Sequence, residues 1–323
     1  MNHVFNPALS LKNAFHMLLA AFALMAGILQ AELTDQQKLV PLEVDAPDKG
    51  LSKIVIIAGV PSNKPGQHEY FAGCAMMTQW LKQSPGVWPV LVAEGWPKNE
   101  AILDNAKAVL IYMDGGDKCA LLEPARWSKM KQLMDKGVGF VALHQAVEVP
   151  EAQSADYKAW LGAVWQKDIG SRGHWDMSFA DFPKHETLRG VQPFAAPKDG
   201  WLFNLHFAEK GVTPLLTGLL PDSGRSTPDA KAHAGRAEVI AWAYERDNGG
   251  RSVGFTGCDL HKNWEQESQR RFVANALLWT AQVPVPDAGA PVPCAETDLA
   301  SNMDRKALGL AKAPAPAPAP EVK

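Results

Sequence analysis

The chain predicts an α/β fold, a three-layer α/β/α sandwich around a mostly parallel sheet, and three observations predict it. Short β-branched runs recur along the sequence, they are apolar on both faces, and helical periodicities lie between them. A strand can dispense with a polar face when helices cover both sides of its sheet. Alternation of strand with helix then gives parallel pairing through right-handed crossovers.

The elements follow in order. Residues 1–31 stand apart: they carry no acid and one early Lys12, then an apolar stretch from Ala14 to Leu29 that closes on Leu29-Gln30-Ala31. A basic start, an apolar centre and a small residue before polar chain is the order of a secretory signal peptide. The apolar centre is short for a membrane span, which needs roughly 20 apolar residues. Export, most simply to a bacterial periplasm, is expected, with no stable membrane span after cleavage; an uncleaved anchor is the alternative. Residues 32–52 read as an N-terminal extension, 53–284 as the folded domain and 285–323 as a proline-rich disordered tail ending in an alternating Ala-Pro run. Within the domain, strand-like runs lie at 53–60, 88–92, 108–113, 139–143, 239–243 and 252–256. Helical spacing marks 70–81, 124–134 (opening on Pro124 and stopping before Gly137) and 269–281. Residues 221–236, polar and rich in Gly, Ser and Pro, read as a surface excursion.

Composition narrows the function. The 323 residues carry 32 basic and 35 acidic side chains, a net charge of −3 with no block of like charge, which argues against a nucleic-acid partner. The four cysteines (Cys74, Cys119, Cys258, Cys294) lack the close paired spacing of a zinc cluster. In an oxidising compartment they permit disulfides, and one through Cys294 that ties down the C-terminal region is expected.

Ligands of open parallel sheets bind at the carboxyl ends of the strands, so polar groups there are the candidates. Four strand runs end on them: His68 and Glu69 after the first, Asp114 after the third, His144 after the fourth, and Asp259 and His261 after the last. Two chemistries suit these groups. His68, His144, Asp259 and His261 have the imidazole and carboxylate donors that hold a divalent metal such as zinc. Alternatively, His144 with Glu69 or Asp114, and His68 with them, would act as general acid and base without metal. Of the 11 tryptophans, Trp201 and Trp264 lie beside polar candidates such as Asn263 and would stack on the apolar face of a sugar ring.

These segments also resemble a known family. Gly59-Val60-Pro61-Ser62, Gly66-Gln67-His68-Glu69-Tyr70, Tyr112-Met113-Asp114-Gly115-Gly116 and Gly139-Phe140-Val141-Ala142-Leu143-His144 are similar to the ThuA-like (trehalose utilisation) family. The likeness continues through Asp199-Gly200-Trp201-Leu202, Gly254-Phe255-Thr256-Gly257, His261-Lys262-Asn263-Trp264 and a helix with Arg271, Asn275 and Trp279. It implies a flavodoxin-like, class I glutamine amidotransferase-like sheet and a role in carbohydrate metabolism. Amidotransferase chemistry is not implied, since His144 stands where the cysteine nucleophile would be. Two positions depart from the family pattern: Asp259 replaces the first His of Gly-His-x-His, and Gly200 replaces a Glu. The expected function is therefore an exported enzyme acting on a sugar or keto-glycoside, by hydrolysis, elimination or isomerisation. A non-catalytic carbohydrate-binding or scaffolding module on the same cleft is the alternative.

Overall fold

In the computed structural model, which describes residues 33–48 and 50–311, a short Thr34-capped helix, α1 (Asp35–Lys38), comes first. Then come β1 (Ser52–Ala58), α2 (Tyr70–Leu81), β2 (Val87–Val92), β3 (Ala108–Tyr112), α3 (Pro124–Asp135), β4 (Gly139–Leu143) and α4 (Glu151–Leu161). The middle of the chain holds β5 (Ala163–Val164), β6 (Ser171–Phe179), β7 (Phe194–Phe203), β8 (His206–Phe207), β9 (Val212–Gly218) and α5 (Pro228–Ala232). Strands β10 (Glu238–Glu245) and β11 (Arg251–Phe255) and helices α6 (Glu267–Thr280) and α7 (Glu296–Ala300) complete it.

Seven strands form the central sheet in the order β2-β1-β3-β4-β11-β10-β9. Strands β2, β1, β3, β4 and β11 pair in parallel, and β10 runs against both of its neighbours. The β-branched runs explain the layering. Successive side chains of a strand point to opposite faces, so Ile54 and Ile56 enter a core with α2 and α6 residues such as Met77, Trp80 and Phe272. Val55 and Ile57 enter a second core with Met130 and Leu133 of α3 and Tyr157 and Trp160 of α4. Both faces are covered, as continuous apolar strands require.

The segment after β4 is where the sequence is least informative. Strands β6 and β7 form a separate antiparallel hairpin with a register irregularity at Trp175/Met177. Alternating burial along β6, whose exposed positions Arg172, His174, Asp176 and Ser178 are all polar, masks its strand character from a search for apolar runs.

Two expectations are corrected. Residues 285–311 are not a coreless tail: Val285, Ala290, Val292 and Asp304 are buried. Proline-rich chain can be buried when side chains satisfy its carbonyls; Arg270 Nε donates to Val292 O at 3.0 Å and Trp80 Nε1 to Pro293 O at 3.1 Å. Nor does a disulfide form. All four cysteines are free; Cys74 and Cys258 lie in one core and Cys119 in the other, on opposite faces of the sheet, and Cys294 is half-buried. The apolar stretch at 14–29 and the Ala-Pro run at 313–320 lie outside the described residues. Among the described residues, no helix is long and apolar enough to cross a membrane.

The C-terminal segment reaches the loop after β1. The Lys306 ammonium donates to the carbonyls of Ser62 and Gln67, and to His68 O at 3.3 Å, and lies 3.6 Å from the buried Glu69 carboxylate. Replacing it leaves those acceptors short of a donor, which costs about 1–3 kcal/mol. Lys306→Met is therefore expected to lower the urea midpoint by that free energy divided by the m-value, with the m-value itself unchanged; an unaltered midpoint would show that this contact holds nothing.

Candidate functional site

The sheet order reverses between β1 and β3, since β1 leads outward to β2 and β3 leads the other way, and loops converge at such a point. Four loops meet there: the one after β1 with Ser62 and His68, the one after β3 with Asp114, the turn after β4 with His144, and the one after β11 with Thr256 and Asp259. Backbone strain marks three of them. His68 (φ 49°), His144 (φ 56°) and Cys258 (φ 78°) all occupy the left-handed region, which side-chain-bearing residues adopt at a cost that surrounding contacts must offset.

At the centre, His68 Nε2 lies 3.1 Å from His144 Nε2 and 3.3 Å from Asp259 Oδ1, and His144 Nε2 lies 3.7 Å from the same oxygen. All three residues are buried. The other ring nitrogens settle the tautomers. His68 Nδ1 faces Asp114 Oδ1 at 3.0 Å, an acceptor-only carboxylate oxygen that also receives the hydroxyls of Ser62 and Tyr70, each at 2.6 Å. His144 Nδ1 faces Thr256 O at 3.1 Å. Each Nδ1 therefore carries the proton when its ring is neutral, and both Nε2 lone pairs turn toward each other. Asp259 Oδ1 completes the cluster and, although buried, takes no hydrogen bond among the described residues.

Charge follows the same geometry. Burial lowers His144 to about 4, so this ring is neutral at ordinary pH. Burial also opposes charge on His68, but the Asp114 and Asp259 carboxylates outweigh it and raise its pKa. Burial would raise Asp114, yet hydrogen bonds from His68, Ser62 and Tyr70 bring it down to about 2. Asp259 likewise resists burial and is held well below the usual carboxylate range by the surrounding imidazoles. On its far side, Asp259 Oδ2 accepts from Gln67 Nε2 at 3.0 Å and His174 Nε2 at 2.6 Å. Asp199, buried and pushed up to about 6 by that burial, accepts from the N–H groups of Cys258 and Leu260 at 2.9 Å each and so fixes the chain on both sides of Asp259.

Three acceptors face one another here, and a proton on His68 or a cation among them relieves the repulsion. The donor set fits zinc: two imidazole nitrogens and one carboxylate oxygen lie within 4.8 Å of one another. A tetrahedral ion with bonds of about 2.0–2.2 Å has ligand–ligand edges of roughly 3.3–3.6 Å, close to the separations of 3.1, 3.3 and 3.7 Å. Three protein donors would leave one position open to a ligand.

Other candidates from the sequence lie elsewhere. His261 is not in the cluster: its Nε2 bonds Leu299 O at 2.9 Å, because the turn that follows Asp259 directs it toward the C-terminal segment. Glu69 is fully buried and accepts from the N–H groups of Gly66 (3.0 Å) and Asp304 (2.9 Å), so it braces the loop rather than facing the cluster. Trp201 and Trp264 are 1% and 0% exposed, packed against Phe179 and Tyr112 respectively, and offer no face to a sugar. Asn263, also buried, donates to Pro197 O at 3.3 Å. Sequence reasoning missed His174, which comes from the unassigned strand β6, and Asp199 and Gln67 as partners of the Asp259 loop. The signals in the sequence were the proximity of Gln67 to His68 and the place of Asp199 in a family-like segment; nothing pointed to His174.

Residues 60–280 match the sequence pattern of the ThuA family, described as trehalose utilisation. Among solved structures, the chain is similar to a protein of Bacteroides uniformis described as ThuA-like, with 13% identity over 73% of this chain and 93% of that one and a TM-score of 0.52. A ThuA-like protein of Parabacteroides merdae gives 13% identity, 80% and 98% coverage and a TM-score of 0.50. At such identities the likeness shows the fold alone. No curated protein matches the chain.

The two histidines have opposite pH signatures. His68, with a raised pKa, contributes stability that is full below 6.5 and lost as pH rises through its folded value. His144 is depressed from 6.5 to about 4, so its contribution is full above 6.5 and lost as pH falls toward 4, a swing of about 3 kcal/mol. His144→Asn, chosen because Asn tolerates a left-handed φ, is expected to flatten the fall in denaturant midpoint between pH 7 and pH 4.5; an unchanged slope would refute the buried neutral ring.

Proposed function

The chain belongs to the ThuA (trehalose utilisation) family, and on that premise we propose that it is an exported protein of carbohydrate metabolism that binds a divalent cation, zinc by preference, through His68, His144 and Asp259, and acts on a sugar or keto-glycoside there. One observation carries the reading: three buried acceptors converge at tetrahedral edge lengths, one of them with no hydrogen-bond donor. Export rests on the composition of residues 1–31, and the substrate class rests on the family.

The chain's own groups have definable tasks. Asp114 and the Thr256 carbonyl hold the Nδ1 protons of His68 and His144, which keeps both Nε2 lone pairs pointed inward. Gln67 and His174 occupy Asp259 Oδ2, which leaves Oδ1 as the free donor atom. A bound divalent ion would supply Lewis acidity toward a sugar hydroxyl or carbonyl oxygen. His174 holds Asp259 Oδ2 from the solvent side, with its own side chain 54% exposed. With Trp201 and Trp264 buried, a sugar would be recognised through its hydroxyls rather than by stacking on either ring. Buried thiols do not support cysteine chemistry: burial raises Cys258 well above the ordinary thiol range. Gly200 favours the second reading, a non-catalytic sugar-binding module, because it places no carboxylate of its own beside the cluster.

Elemental analysis of the purified protein and zinc titration are the tests. Stoichiometric zinc is expected, with His68→Ala and Asp259→Ala each weakening it at least tenfold. Zinc held equally well without these side chains would overturn the site. A screen of disaccharides and their 3-keto derivatives then separates the two readings: turnover lost in His144→Ala supports the enzyme, and saturable binding without product supports the module.

A further inference from the structure

Gly200 lies on β7 directly opposite His174 of β6 in the hairpin register. Its φ is one that any residue adopts, so glycine is not there for conformational freedom. What it supplies is space. A Cβ added at position 200 would sit 2.5 Å from Asp259 Oδ2, 2.8 Å from its Cβ and 2.9 Å from its Cγ. Those atoms have nowhere to retreat. Asp199 holds the N–H groups on either side of Asp259, Gln67 and His174 hold Oδ2, and the Asp259 carbonyl accepts from His68 N at 3.1 Å. Directly opposed residues of an antiparallel pair present side chains to the same face. The His174 ring therefore reaches Asp259 across the bare α-carbon of Gly200.

We propose that Gly200 and His174 are the positioning residues that make Asp259 the carboxylate donor of the cluster: the missing side chain at 200 opens the volume the carboxylate fills, and His174 turns its other oxygen toward the two imidazoles. The inference rests on the cation-site reading above and adds the hairpin β6–β7 to the site. It also says where else a carboxylate could be installed. A side chain at 200 points into the volume that Asp259 occupies, so Glu at 200, one methylene longer than Asp, reaches the same place once Asp259 is replaced by glycine.

The test combines zinc affinity with thermal unfolding of the metal-free protein. Gly200→Ala is expected to lower the unfolding temperature and weaken zinc at least tenfold. Asp259→Gly added to it should recover the stability relative to Asp259→Gly alone, since the clash is with that side chain, its Cβ included. His174→Ala, at an exposed position that the fold tolerates, should weaken zinc about tenfold with little change in unfolding temperature. Gly200→Glu in the Asp259→Gly background should regain most of the zinc affinity that Asp259→Gly loses. Additive stability effects at 200 and 259, or failure of Glu at 200 to restore zinc while wild type binds it, would overturn the positioning role alone. Absence of zinc binding by wild type would instead remove the cation reading and, with it, the assignment of Asp259 as a donor.

Discussion

Two imidazole nitrogens and a carboxylate oxygen held face to face are mutually repulsive unless a proton or a cation lies among them, and the surrounding structure is organised to keep them there. Neither imidazole can turn its Nδ1 inward, because Asp114 and the Thr256 carbonyl each hold that edge. Asp259 cannot turn away, because Asp199 pins its neighbours and Gln67 and His174 hold its second oxygen. Buried acceptors without donors are costly, and a fold that retains them concentrates ligand-binding potential at one point.

The backbone shares that cost. His68, His144 and Cys258 sit in the connections that follow β1, β4 and β11, in left-handed conformations. Regular extension of β4 and β11 would carry these chains away from the cluster; the turns after them, and the loop that leads from β1 into the next helix, bring His144, Asp259 and His68 together. The contacts that hold the turns come from distant segments: Lys306 and Asp304 on the loop after β1, and Asp199 on the loop after β11. The C-terminal segment is thus part of the scaffold of the site.

The two departures from the family pattern also meet in space. Gly200 and Asp259 are 59 positions apart in sequence, but the bare α-carbon of one faces the carboxylate of the other. A carboxylate absent at one position is matched by a carboxylate present at its neighbour. Taken one at a time along the sequence, Gly200 looks like a lost acid/base group and Asp259 like an exchanged ligand; in contact, they describe one rearranged site.

The α/β class, five parallel strands, three main helices and the presence of His68, Asp114, His144 and Asp259 at strand ends were legible in the sequence, because apolar runs covered on both faces and polar residues that follow them are local signals. Strands β6 and β7 were not, since their half-exposed pattern resembles loop. Glu69 and His261 show the limit of adjacency: each neighbours a cluster residue in sequence, yet a turn of one or two residues sends it to the C-terminal segment instead. Trp201 and Trp264 show the same for aromatics, whose burial depends on which helix or strand packs over them. Local chemistry thus determined which groups stand at the rim of the sheet. Only tertiary structure decided which of them share a pocket, because side-chain direction at a strand end is set by turns whose hydrogen bonds come from elsewhere in the chain.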